Sequence, residues 1–246
     1  MDGYDDTTYG RGFADVYDDW YQGITDIETT VADLRALAGD GPVLELGVGT
    51  GRLAIPLAAG TGSPRVVGVD TSAEMLARLR ANDPAGTVEV VAGDMVTGLP
   101  DGPFSLVFVA YNTIFNLGTP AGQAACFEAV AARLATGGRF VVEAFVPDDP
   151  PRRGDDISIR SLAADRVVLS VSRHDPDRQV AEGQFIEFTE AAGVRLRPWS
   201  IRYATPDELD AMAGRAGLAL EHRWEAFGRR EFHSESPRHV SVYRAG

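Results

Sequence analysis

Hydrophobic and polar positions follow two rhythms over the first two thirds of the chain. Short, nearly unbroken apolar runs occur at Val43–Leu46, Val66–Asp70, Val88–Ala92, Leu106–Ala110 and Phe140–Ala144. Runs of this length, bounded by Gly, Pro and Asp, read as strands buried on both faces. Between them apolar residues recur at helical spacing: Leu53–Ala58, a stretch ending at Arg80, and Ala121–Ala135. Thr71-Ser72-Ala73-Glu74 has the hydroxyl-then-glutamate signature of a helix start, and Gly137-Gly138 marks a stop. Strands alternating with helices predict an α/β fold, a doubly wound and mostly parallel sheet with helices on both faces.

The rhythm changes after Pro147–Gly154, a Pro/Asp/Arg stretch that reads as a linker. Four β-rich runs follow at Ile157–Leu162, Val167–Ser172, Gln184–Thr189 and Val194–Ile201, with turn residues and no helical spacing between them. They predict an antiparallel insertion. Thr205-Pro206-Asp207-Glu208 combines a capping hydroxyl, a proline at the first helical position and a glutamate that can cap back. The helix it opens should run to about Ala216, before two last strands at Ala219–Phe227 and His239–Arg244. The expected division is one domain made of residues 1–150 and 204–246, interrupted by a β-rich unit at 151–203.

Charge removes several classes of function. The formal net charge of −13 repels a phosphate backbone, and Arg152-Arg153 and Arg229-Arg230 do not make a basic stripe, so no nucleic-acid partner is expected. No apolar run is long enough to span a membrane, and no signal segment opens the chain, which points to a cytoplasmic protein. All 23 basic residues are arginine, so Schiff-base chemistry and a phosphate-loop lysine are ruled out. Cys126 is the single cysteine and falls on a predicted helix, as a buried thiol would. His174, His222, His233 and His239 lack metal-ligand spacing, and no metal is expected.

The densest chemistry lies at Val43-Leu44-Glu45-Leu46-Gly47-Val48-Gly49-Thr50-Gly51-Arg52, where a buried strand turns into a helix through alternating glycines. Such a turn lets the backbone approach a nucleotide without Cβ atoms in the way. The dinucleotide fingerprint wants glycine where Arg52 stands. Asp70 ends the next strand, where an acid accepts hydrogen bonds from ribose hydroxyls.

Glu45, two residues before the first glycine, makes this stretch resemble the first motif of class I S-adenosylmethionine (SAM) methyltransferases. Val91-Ala92-Gly93-Asp94-Met95 is similar to the family's third-strand segment, and Leu134–Phe140 to its helix-to-fifth-strand turn. Phe104-Ser105-Leu106 departs from it, with serine where an acid is frequent. The resemblance implies a seven-stranded Rossmann-like sheet whose seventh strand is antiparallel, with the inserted β unit as a substrate lid. The cofactor it implies is SAM, held by Tyr17, Tyr21, Glu45, Gly47, Gly49, Gly51, Arg52, Asp70, Thr71, Met75, Asp94, Met95, Tyr111 and Asn112.

Two finer likenesses point to different acceptors. Ala14–Tyr21 resembles the N-terminal helix of amino-sugar N-methyltransferases, and Tyr111-Asn112-Thr113-Ile114-Phe115 resembles a branch acting on peptide N-termini or other small metabolites. The expected reaction is methylation of a small molecule at nitrogen or oxygen. Alternatives are methylation of a peptide N-terminus and a non-catalytic SAM-binding partner subunit, and a homodimer stays open. Tyr17 and Tyr21, four apart, share one helical face and would either sit over the sulfonium or simply pack. Asn112, Thr113 and Phe115 follow the fourth strand, where substrates bind in open sheets. Trp199, Arg230 and His233 complete the candidate substrate set. Tyr21, His233 and Tyr111 are the catalytic candidates, and Glu143 could serve as a base for a hydroxyl or carbon acceptor.

Overall fold

The computed structural model describes residues 1–5, 7–21, 23 and 26–246. The apolar runs pair as expected. Strands β1 (Val43–Leu46), β2 (Val66–Asp70), β3 (Val88–Ala92), β4 (Phe104–Val109) and β5 (Leu134–Phe145) lie parallel. After four strands of a second sheet, β10 (Leu218–Ala226), β11 (Arg230–Glu231) and β12 (Arg238–Ala245) add antiparallel, giving the order β11-β10-β12-β5-β4-β1-β2-β3. The sheet thus has eight strands, not seven. The extra one is a two-residue edge, formed because Gly228 and Arg229 take left-handed backbone and turn the chain back on β10. The order reverses between β1 and β4, the crevice where open α/β sheets bind ligands.

Apolar side chains of the strands serve two cores. Leu44, Leu46, Val107 and Val109 pack with helices α6 (Pro120–Ala131) and α7 (Pro206–Arg215). Val43, Leu106 and Phe108 pack with α3 (Ile27–Ala38), α4 (Ala54–Ala58) and α5 (Ala73–Asn82). Ser72 and Thr205 accept the cap hydrogen bonds that start α5 and α7, as the sequence predicts. Helix α6 ends at Ala131 rather than Ala135, and β5 begins at Leu134 rather than Phe140. Gly137, at φ +71°, bends this strand where it would otherwise have ended, so that Leu134 pairs with Phe104.

The insertion is a four-stranded antiparallel sheet in the order β6-β7-β8-β9: Gly154–Leu162, Arg166–Asp175, Val180–Thr189 and Gly193–Arg202. The N-terminal segment forms two short helices, α1 (Thr8–Phe13) and α2 (Tyr17–Trp20), where the sequence suggests one over 14–21. Helix α1 docks on β9 and α5.

Candidate active site

The turn after β1 opens onto a cavity of about 250 Å³ at the reversal of strand order. Gly47, Gly49, Asp70 and Met75 line it, Gly93–Met95, Thr113 and Asn116–Gly118 close the sides, and Tyr4, Tyr9, Gly10 and Tyr17 roof it. Gly47 sits at φ +67°, and a Cβ there would come within 2.4 Å of the Thr113 methyl. The roof depends on another glycine: a Cβ on Gly10 would meet the Ser72 side chain at 2.2 Å, so α1 lies directly on the start of α5.

The acids expected to grip a nucleoside are held rigidly. Asp70 Oδ2 accepts the Gly49 N–H at 2.8 Å, and Oδ1 accepts the Ser72 N–H at 2.8 Å. Burial raises its carboxyl above the usual range against those hydrogen bonds. The Thr71 N–H also donates to this carboxylate, which still keeps acceptor capacity for a ribose hydroxyl. Asp94 Oδ1 accepts the Val96 and Thr97 N–H groups at 2.8 Å each, and Oδ2 accepts the Thr97 hydroxyl. Partial burial opposes ionisation of Asp94, but these donors prevail and lower its pKa.

Glu45 and Arg52 carry orphaned atoms. Glu45 is 5% exposed, and its Oε2 has no partner among the described residues; burial pushes the carboxyl up to about 8, although Arg52 and the Ala54 N–H oppose this. Nη1 of Arg52 is likewise buried and unpartnered. The Arg52 charge favours the ionised forms of Tyr17, Tyr111, Glu45 and Glu143, so it stands among all four. An orphaned carboxylate oxygen beside an orphaned guanidinium nitrogen suits a ligand end that carries both an ammonium and a carboxylate, as the methionyl end of SAM does. Gly10, Gly47 and Asp70 leave space and acceptors for its nucleoside end, so the residues present fit this cofactor.

Aromatic rings cover the turn. Tyr17 and Tyr21 centroids are 4.6 Å apart, Tyr21 and Tyr111 meet edge-on at 5.5 Å, and the Tyr9 and Tyr21 hydroxyls share a 3.1 Å hydrogen bond. Burial raises the phenol pKa of Tyr9, Tyr17 and Tyr111, so these groups stay neutral around pH 7. Tyr111 and Asn112 both have positive φ. Glu143 Oε2 accepts the Tyr111 N–H at 3.0 Å, and Asn112 Oδ1 accepts the Phe145 N–H at 2.7 Å, which pins this strained corner between β4 and β5.

Other candidates lie elsewhere. Phe115 is fully buried and packs edge-on against Phe145 at 5.0 Å. Gly51 faces Ile55 and Leu79. Trp199 lines a second cavity of about 250 Å³ between Phe145, the connector and His174, with its indole N–H buried and unpartnered. Arg230 and His233 gather on Glu225 at 2.9 and 3.4 Å in the terminal hairpin, and neither lines the cavity under Tyr17.

Sequence patterns gave no hint of a buried cluster that fastens the roof to the insertion. Arg197 of β9, 1% exposed, binds Asp15 Oδ1 at 2.7 Å, Glu187 Oε2 at 2.8 Å and the Gly12 carbonyl at 2.5 Å, and lies 5.2 Å over the Trp20 ring. Tyr4 and Gly10 were also missed, although a glycine inside a helical stretch can signal close backbone approach.

Fold and site together define a nucleoside-cofactor enzyme of the α/β class with a capped cleft. The family model for a methyltransferase domain matches residues 43–138. The structure of the CcbJ methyltransferase from Streptomyces caelestis is 40% identical, covers 99% of this chain and 100% of its own, and superposes with a TM-score of 0.92. SAM-bound CalS10, an amino pentose methyltransferase from Micromonospora echinaspora involved in calicheamicin biosynthesis, is 26% identical, with coverage of 94% and 97% and a TM-score of 0.72. Demethylmenaquinone methyltransferase from Thermus thermophilus is 29% identical over 76% of this chain and 78% of its own. The chain belongs to the SAM-dependent methyltransferase family. It is an enzyme that uses SAM, similar to methyltransferases of natural-product pathways. No helix among the described residues is long and apolar enough to cross a membrane.

Proposed function

We propose that this enzyme methylates a nitrogen of a small natural-product amine, in the cytoplasm. When bound, SAM supplies a methyl group already activated by a positive sulfur. In this reading Asp70 and Thr71 take the ribose, Asp94, Met95 and Met75 the adenine, and Glu45 and Arg52 the methionyl end, with Gly47 and Gly49 shaping the floor. Tyr17, Tyr21 and Tyr111 present ring faces and phenol oxygens to the sulfonium, which stabilise a positive centre. Asn112 acts through the corner it pins, and Thr113 abuts the floor. The acceptor enters between Tyr21, Tyr111 and the inner face of the β6–β9 sheet, with Trp199 and Phe185 as its walls. Its partners are this small molecule and a second copy of the chain.

One observation carries the choice of nitrogen. The Tyr9, Tyr17 and Tyr111 hydroxyls are neutral phenols with raised pKa, Glu143 is engaged by the Tyr111 N–H at 3.0 Å, and His233 is held at Glu225 in the terminal hairpin. A hydroxyl acceptor needs a base, whereas a neutral amine needs only alignment and exclusion of water. The aminopentose enzyme CalS10 supports the same direction. The test offers SAM with amine acceptors, amino pentosides and secondary cyclic amines among them, beside analogues bearing hydroxyl in place of the amine. Mass gain on the amines alone is the expected result; gain on the hydroxyl analogues alone would overturn it.

A further inference from the structure

Arg160 stands at the acceptor cleft for a local reason. In the β6–β7 register Ile159 faces Leu169 and Ser161 faces Val168, so Arg160 is the extra residue of a bulge. A bulge re-aims the side chain it carries, here towards α2. The guanidinium carbon lies 4.7 Å from the Phe185 ring centre, 4.9 Å from that of Trp20 and 5.5 Å from that of Tyr21. Three rings around one cation make an aromatic cage. Among the described residues its only hydrogen bond is to the Trp20 carbonyl, at 3.4 Å, and no carboxylate pairs with it. Arg197, on the same sheet, is by contrast buried and neutralised by Asp15 and Glu187. The cage adjoins the turn, because Tyr21 also meets Tyr111 at 5.5 Å and the Arg160 charge acts on the Tyr111 phenol.

We infer that Arg160 fills an ammonium-binding cage with a cation of the protein's own, and so admits the acceptor only as the neutral amine. The inference rests on the nitrogen reading above and supplies what that reading needs, a way to choose the reactive form without a base. Empty, the rings of Trp20, Tyr21 and Phe185 would attract the protonated amine, which has no lone pair to attack with. Filled, they offer it no ring face, and the guanidinium repels it. The neutral amine meets no such repulsion. The surrounding groups act in the same direction. Across from Arg160 lie the phenols of Tyr9, Tyr21 and Tyr111, with Arg52 and Glu143 close enough to act on Tyr111. Burial raises the Glu143 carboxyl above the usual range, and pushes that of Glu45, the other acid beside Arg52, up to about 8. Burial thus weakens both acids as counter-charges. On the insertion, Asp156 lies four residues along β6, about 13 Å away at strand rise, and His174 lies beside Trp199 in the second cavity. Two positive charges about 6 Å apart near a protein surface shift an ionisation by about two pH units, and solvent in an open cleft reduces this to about one.

The cage is tested first without turnover, on the full chain with no cofactor added and tetramethylammonium as the probe. Arg160→Ala vacates the three rings, so calorimetry should show roughly tenfold tighter tetramethylammonium binding than in the wild type. Arg160→Lys, which keeps the charge, should behave as the wild type. Turnover on an amine from the acceptor panel gives the second measurement. At limiting acceptor the pH profile follows the amine free in solution, and at saturating acceptor it follows the bound amine. The saturating profile of the wild type should level about one unit below the free amine's pKa. That of Arg160→Ala should level at the free value or above, with turnover about tenfold lower on the acid side and the limiting-acceptor profile unchanged. S-adenosylhomocysteine affinity and the circular dichroism spectrum should match the wild type, which separates this effect from misfolding. Equal tetramethylammonium binding by the wild type and Arg160→Ala, or a saturating profile that does not move, overturns the inference and leaves the nitrogen reading standing. Methyl gain on the hydroxyl analogues alone overturns the nitrogen reading, and this inference with it.

Discussion

Replacing Arg197 by methionine keeps the side-chain length and removes the charge that fastens the roof of the cofactor cavity to the insertion. Four contacts are lost: two to carboxylates at 2.7 and 2.8 Å, one to the Gly12 carbonyl, and the stacking on Trp20. Breaking a buried pair from one side costs about 3–5 kcal/mol. The lower end applies here, because Glu187 keeps Arg166 at 3.6 Å and the partly exposed Asp15 keeps Arg195 at 2.6 Å. A loss of about 3 kcal/mol lowers the melting temperature of a chain this size by roughly 6–12 °C if unfolding is cooperative. The more specific effect is local. Tyr9, Gly10 and Tyr17 cover the cavity, and the segment that carries them docks on β9, so its detachment uncovers the cofactor. At tenfold per about 1.4 kcal/mol, S-adenosylhomocysteine affinity should fall by about tenfold to 100-fold, mostly through faster dissociation. Calorimetry gives the affinity, and amide hydrogen exchange over residues 8–21 reports the detachment. If the variant melts earlier but binds with wild-type affinity, and residues 8–21 exchange no faster, the roof does not depend on this cluster and the reasoning fails.

Other expectations follow from the same site. Glu45 has a folded-state pKa of about 8, above its ordinary 4.5, so the stability it contributes is full below pH 4.5 and lost as pH rises through 8. Binding of an ammonium to its carboxylate runs the other way: S-adenosylhomocysteine should bind up to tenfold tighter per pH unit up to about 8, then level off. Glu45→Gln should flatten that profile, and a flat wild-type profile would remove Glu45 from the ligand. Asp70→Ala should weaken the same binding by roughly 1–3 kcal/mol, since ribose hydroxyls lose their acceptor; calorimetry showing no change would reassign them. His233→Gln should lower turnover by less than about tenfold, against roughly 10²–10⁴-fold for a true base. A larger fall at unchanged melting temperature would point to an oxygen or carbon acceptor.

The legible parts of the chain were those where local chemistry and tertiary need agree. β1 and β2 are nearly unbroken apolar runs because both faces are covered, so their bounds follow directly from composition, while the edge strand β3 keeps its valines but carries Glu89 and leaves part of its length exposed. The glycines before Arg52 and the acid at Asp70 are dictated by close backbone approach, which any sequence must solve with the same residue types. Elsewhere contacts distant in sequence decided the outcome. Gly137 reads as a helix stop, yet pairing of Leu134 with Phe104 draws it into a strand. Helix α3 was not predicted; what defines it is the Asp26 cap and the burial of Val31, Leu34 and Leu37 against the sheet. The run at Val194–Ile201 reads as a strand, but only the structure shows that Arg197 turns inward to Asp15 while Val194 and Leu196 face outward. Arg230 and His233 looked like site residues by topology alone, and the structure pairs them with Glu225 instead.

The central claim is that the capped cleft methylates a neutral amine without a base from the protein. The most direct measurement is the pH dependence of single-turnover methyl transfer to an amine acceptor identified in the panel, with SAM saturating. The account predicts a rate that rises with pH and levels at the amine's own pKa, shifting in step when an amine of different pKa is used. A profile that stays fixed when the amine is changed, set by a group on the protein, would contradict it.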